Sequence, residues 1–178
     1  MAGKYSIVTA GDGISAARET LVTYLNTGTK EAPVWSAMGA KVTESSIEYD
    51  WGLESSTDIL GVTRSKAKVA KQTQSFAGNE IVAGDAVMNH LLDIAVVQKS
   101  AELVVAQDVL IVHTYLKDEA GNAFAERYPT SAVVPTTRGG EGGGPLVSDI
   151  NVEYGGERSV GTAAVEAGVV TFTPTVEV

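Results

Sequence analysis

The chain reads as α+β and mainly β: a β-sandwich or partial barrel with one flanking α-helix. Three observations predict this. Short stretches that alternate apolar and polar residues recur along most of the length, the pattern of half-buried strands. Glycine is abundant, 19 of 178 residues, which suits many tight turns between short strands. The clearest 3.6-residue apolar stripe is confined to residues 85 to 99.

Taken in order, ISAARETLVTYL (14 to 25) sets Ile14, Ala17, Leu21, Val22 and Leu25 on one helical face, with Asp12 or Ser15 as its cap. The β-branched TLVTY within it also fits a strand. From Pro33 the texture is β. Trp35 leads into a turn near Gly39, and residues 42 to 51 alternate Glu44, Ser46, Glu48 and Asp50 against Ile47, Tyr49 and Trp51. Residues 54 to 58 read as a loop and ILGV as a short strand. Residues 64 to 76 are polar on both faces, an exposed ribbon or an arm that leaves the body.

The helix from about Asp85 to Lys99 carries Val87, Met88, Leu91, Leu92 and Ala95 as its main stripe, with Asp85 as N-cap and Lys99 at the negative end of the dipole. Ile94, Val96 and Val97 add more apolar surface than packing on one sheet needs. Residues 101 to 116 are apolar on both faces, as a strand covered twice would be. DEAGN turns the chain into a partner strand, 123 to 134, whose regularity Pro129 and Pro135 limit. GGEGGGP (139 to 145) reads as a hinge. Residues 146 to 154 then alternate, with Leu146, Ile150, Val152 and Tyr154 inward and Asp149, Asn151 and Glu153 outward. A last hairpin joins 159–165 to 168–173.

A chain of 178 residues suits one domain, 1–178, able to bury roughly 70% of its unfolded surface. The absence of cysteine excludes disulfides and thiolate chemistry. The opening segment lacks the apolar core of a signal peptide, and no run approaches the ~18 apolar residues of a membrane span. A soluble product made in the cytoplasm is expected. The net charge of -9 argues against a protein that holds nucleic acid, since that needs cationic contacts.

No motif carries chemistry. GGEGGGP lacks the lysine and Ser/Thr of a phosphate loop, AGDGIS lacks the spacing of a nucleophile elbow, and DEAGN lacks that of a calcium loop. His90 and His113 read as hydrogen-bonded structural residues. The basic run Arg64, Lys66, Lys68, Lys71 has no interleaved aromatic for base stacking and reads as a solvated ribbon or a partner for an acidic surface on a neighbour.

Six segments in a fixed order, APVW (32–35), SSIEYDWGLESSTDILG (45–61), KQTQSF (71–76), LIVHTY (110–115), FAERYP (124–129) and GGEGGGPL…VEYGGERSVGT, resemble the major tail tube protein of long-tailed bacteriophages, chiefly the prophage type of Gram-positive hosts. The likeness runs from about residue 20 to the C-terminus. It implies a structural, non-enzymatic virion protein without cofactor, forming stacked hexameric rings whose inner strands join into one barrel. An arm, placed around 54–80, would reach the next ring. Its partners would be copies of itself and other tail proteins (tape measure, tail tip, terminator), with DNA passing unbound and no membrane involved. The protein would be made in the bacterial host cytoplasm and end in the virion tail.

On that reading Asp149, Asn151 and Glu153 face the lumen, the row at 42–51 being the competing wall. Arg64, Lys66, Lys68, Lys71, Ile94, Val96 and Val97 meet neighbouring subunits. Gly139, Gly140, Gly142, Gly143 and Gly144 form the hinge that lets strand 146–154 join a shared barrel. The alternatives are a tube subunit of a contractile tail or phage-tail-like bacteriocin, a monomeric β-sandwich binding module using Trp35, Tyr49 and Trp51, and a small hydrolase using His113.

Overall fold

The computed structural model describes residues 5–175; residues 1 to 4 and 176 to 178, which the sequence reading placed in the same unit as the rest, lie outside the described residues. Twelve strands are described: β1 Tyr5–Ile7, β2 Leu21–Asn26, β3 Trp35–Ala37, β4 Ile47–Asp50, β5 Glu54–Thr57, β6 Thr63–Lys66, β7 Lys71–Glu80, β8 Gln107–Asp118, β9 Ala123–Pro135, β10 Val147–Glu153, β11 Ser159–Glu166 and β12 Val169–Pro174. Ten of them form one sheet along the path β3-β2-β8-β9-β10-β7-β4, with β1 beside β8 and the β11–β12 hairpin beside β9. Every pairing in it is antiparallel. The chain is mainly β with one short helix, as the alternation predicts.

The sheet folds back on itself. Thr23 in β2 donates to Gln74 in β7 at 2.8 Å, although three strands separate β2 from β7 along the sheet. Strand β9 makes the corner: its first half pairs with β11, its second half with β10. Between the layers lies a core of Leu25, Met38, Phe76, Val109, Val133, Ile150 and Val152, joined by Val87, Met88, Leu91 and Ile94 from the helix. A second core on the far side of β8 gathers Tyr24, Trp35, Leu110, Val112, Ala125, Ala163 and Val170. Strand β8 therefore carries apolar residues on both faces because both faces are covered.

The structure differs from the sequence reading at four places. Residues 14 to 25 hold a 3₁₀ turn at Arg18–Thr20 and then β2, not a helix. Tyr24 and Leu25, neighbours in sequence, are buried in different cores, a strand's period rather than a helix's. The helical stretch is α1, Ala86–Leu92, continued by a π-helical turn over 93–97. Asp85 caps it, accepting from Met88 N at 3.1 Å, an interaction worth about 1 kcal/mol. Lys99 ends it in the left-handed region (φ 50), so its place is the turn after the helix and not the last helical turn. Residues 101 to 104 form a further short helix, α2, capped by Ser100, and β8 begins only at Gln107. Residues 54 to 57 are a strand, β5, and the expected ILGV strand is instead the turn between β5 and β6.

Candidate assembly surfaces

Strand register decides where the acidic rows stand. Across the β4-β7-β10 ladder, Glu48 lies opposite Thr73 and Thr73 opposite Glu153; Asp50 lies opposite Lys71, and Asn151 opposite Ser75. Residues directly opposite share a face, and all of these are exposed. The paired parts of the two rows expected to compete as one wall, Glu48 and Asp50 of 42–51 and Asn151 and Glu153 of 146–154, thus belong to one polar face, two strands apart. At a strand spacing of about 4.8 Å, the Glu48 and Glu153 backbones are about 10 Å apart, close enough for their fields to add at physiological salt. The opposite sides of β7 and β10 bury Gln74, Phe76, Ile150 and Val152. Leu146, expected inward, is exposed.

Asp149 differs from Glu48 and Glu153. The β7–β10 register slips between Ser148 and Ile150, and the additional residue lies in β7 beside Gly78 (φ 70). Asp149 Oδ1 accepts from Gly78 N at 2.7 Å and Oδ2 from the Thr137 hydroxyl at 2.9 Å. The Gly78 N–H first, and the Thr137 hydroxyl second, hold this carboxyl below the ordinary aspartate range. Its carboxylate stabilises a bulge as well as adding charge.

The glycine run closes the β9–β10 hairpin. Gly139 and Val147 exchange backbone hydrogen bonds of 3.0 and 2.7 Å, and Gly144 N donates to Glu141 O at 3.0 Å. Gly140 leaves no room for a Cβ, which would fall 2.3 Å from Pro145 O. Strand β10 pairs with β9 and β7 of its own chain. In the single chain Gly139, Gly140, Gly142, Gly143 and Gly144 thus form the turn of the β9–β10 hairpin, and the strand they were expected to release is paired within its own sheet.

The basic run divides. Arg64, Lys66 and Lys68 belong to the β5–β6 hairpin and its return, whereas Lys71 opens β7 within the main sheet. Arg64 pairs with Asp58 at 3.4 Å and Lys68 with Glu54 at 3.0 Å. Of the 54–80 stretch expected to form an arm, the hairpin and its flanks, residues 53 to 69, are almost wholly exposed, whereas residues 71 to 80 belong to the main sheet as β7. Of the helix residues expected at an interface, Ile94 is buried in its own chain's core, Val96 is half-buried and Val97 is exposed.

Sequence reasoning missed the arm's tip. Ile59 and Leu60 are 102% and 83% exposed, at a turn in which Gly61 N donates to Asp58 O at 3.0 Å. The signal was there: Asp at the first and Gly at the fourth position mark a type I turn.

The interior holds a polar seam beside the apolar core. Glu126 Oε1 accepts from His113 Nε2 at 2.9 Å, and its Oε2 from Arg158 Nε at 2.6 Å. The Tyr128 hydroxyl sits between that same Oε2, at 2.9 Å, and the Gln72 amide of the other layer. His113 Nδ1 meets the Tyr115 hydroxyl at 3.0 Å, and His90 meets Gln107 at 2.9 Å. Both histidines are hydrogen-bonded inside the chain. Among the described residues no buried side-chain nitrogen or oxygen lacks a partner.

No family model matches the chain, and no curated protein matches it by sequence. Solved structures do. A sheath/tube terminator of an extracellular contractile injection system (PVC, extended state) aligns at a TM-score of 0.51 and 9% identity, covering 84% of this chain and 99% of that one. The tube-terminating cap of the anti-feeding prophage aligns at 0.49 and 14% identity, covering 88% and 97%. The PVC sheath–tube complex gives 0.46 and 10%, covering 85% and 94%. At such identities the likeness is one of fold: the chain shares its architecture with the PVC terminator.

Proposed function

We propose that this chain is a structural, ring-forming subunit of the tube of a contractile tail or tail-like injection particle, with the β4-β7-β10 face lining the bore. The observation that carries the reading is that face: Glu48 and Asp50 of one acidic row and Glu153 of the other stand on one side of one sheet, and its outermost strand, β4, pairs among the described residues only with β7 and leaves an edge for a neighbouring copy. Repeated head-to-tail contacts close into rings or run on as filaments. Carboxylates on the wall repel a passing polyanion over a Debye length of ~8–10 Å, so that cargo slides and does not stick. The shared fold with a sheath/tube terminator favours the contractile setting over the non-contractile phage tail. Its partners would be copies of itself and further tail components.

Negative-stain electron microscopy of the concentrated full chain is expected to show hollow rods or rings with a central channel. A protein that stays monomeric at every concentration overturns the reading. The terminator likeness supports a second reading, a subunit that ends the tube; its assemblies would be single rings that never extend into rods.

The wall is tested best at Glu48 and Glu153. The Glu48→Gln, Glu153→Gln double variant is expected to assemble like the wild type but to retain polyanions, slowing DNA release from reconstituted particles severalfold. Assembly failure in that variant would remove the face from the bore. Asp149→Asn is a poorer probe, since it also loosens the bulge at Gly78.

A further inference from the structure

The arm ends in an apolar knuckle that stands open to solvent. Asp58 Oδ1 accepts from Leu60 N and Val62 N at 2.9 and 3.0 Å, and Asp58 N donates to Val62 O at 3.1 Å. The turn is fixed by its own backbone, while Ile59 and Leu60 stay open to water. Two large apolar side chains preorganised in solvent mark a contact site, because rigidity removes the ordering cost that a loose loop meets on binding.

The same chain carries a cleft that suits them. It opens between the two layers, with Met38, Val42, Leu21 and Phe76 as apolar lining and Arg18, Glu19 and Glu44 among its polar residues. Its volume of about 350 Å³ is at the small end for a drug-sized ligand. Behind its tip the arm bears Arg64, paired with Asp58 of the arm itself, and Lys66; Lys66 is opposite in sign to Glu19 and Glu44, which outnumber Arg18 among the charged residues of the cleft.

The chain's own tip does not fill this cleft. The arm leaves β7 at Lys71, while the cleft is reached at Gln74 and Phe76; the strand between sets root and cleft about 10–16 Å apart, and Ile59 and Leu60 stand open to water. Two copies are required, and the contact joins unlike surfaces, so it repeats.

We propose that the Ile59–Leu60 knuckle of one copy seats in the Met38–Phe76 cleft of a second, with Lys66 against the Glu19 and Glu44 side of the rim. This rests on the tube reading and names the socket that the arm engages. The chain has no cysteine, so introduced thiols report without background. Leu60→Cys and an affinity-tagged Thr43→Cys, at the exposed rim, are made as separate full-length variants, mixed, and treated with a short bis-maleimide under conditions where the wild type assembles. A mixed, tagged dimer at least ten-fold above either variant alone is expected, and adding Ile59→Asp to the Leu60→Cys chain should reduce it about as far. Wild-type assemblies without the mixed product overturn the socket and leave the tube reading standing, as would Leu60→Cys homodimers in its place. A wild type that remains monomeric by light scattering at every concentration overturns both.

Discussion

Glu126→Ala is expected to lower stability by about 3 kcal/mol, the low end of the range for breaking a buried ion pair, because Arg158 is half in water and can be rehydrated. The carboxylate is 5% exposed and receives His113, Arg158 and Tyr128. Its loss leaves the His113 ring and the Tyr128 hydroxyl short of partners in the interior. For a chain of this size that corresponds to a fall in melting temperature of about 6–12 °C, measured by circular dichroism or calorimetry. A fall of less than about 2 °C would show that the seam adds little. Burial alone would push this carboxyl up, but His113, Arg158 and Tyr128 together hold it below the ordinary 4.5. A depressed acid stabilises the fold above its ordinary value, and that contribution disappears as pH drops through the folded value. Glu126→Gln should therefore flatten the acid limb of the stability profile, the variant and wild type converging as pH falls below 4.5.

Gly161→Ala is the second large effect. Gly161 lies between Ala125 of β9 and Pro174 of β12. A Cβ there would fall 2.1 Å from Thr173 O, 2.8 Å from Pro174 Cα and 2.9 Å from the Phe172 ring. Backbone on that side must move by more than an ångström, so β12 is expected to part from β11 at its C-terminal end. The expected loss is about 3 kcal/mol, the upper part of the range for overpacking. Hydrogen exchange should speed up over 171–174 before any change in β8. Gly142→Ala is the control, since nothing lies within 4 Å of its Cβ, and its effect should stay within about 0.5 kcal/mol. Equal melting temperatures for the two variants would show that β12 adapts freely.

These two glycines explain how far the sequence could be read. A glycine cluster draws the eye to 139–144, yet it marks an ordinary hairpin turn, while the glycine with the least room stands alone in β11. Composition reports where glycine occurs; only the fold reports what approaches it. The strands with strict alternation were legible, β4, β10 and the β11–β12 hairpin above all, because one covered face imposes period two. β2 was ambiguous for a physical reason: with Tyr24 and Leu25 in separate cores, its apolar residues run consecutively and fit either period. The shared face of Glu48 and Glu153 was out of reach, since it depends on β7 lying between β4 and β10, and the β7–β10 pairing joins residues about 70–80 apart in sequence. The arm's apolar tip was spelled in DILG, but a hydrophobic pair beside a glycine reads as readily as a short strand.

The alternation in β7 and β10 has one more consequence. Inward residues such as Gln74, Phe76, Ile150 and Val152 hold the layers together, and outward ones such as Thr73, Ser75, Asn151 and Glu153 are exposed in the single chain. The chemistry of the outward face is thus a veneer over an unchanged frame. Glu48, Glu153 and Asn151 can be exchanged for neutral, cationic or apolar side chains with little cost to folding, Asp149 being the exception. In the proposed tube, such a wall could be retuned one residue at a time, without passing through an unstable intermediate.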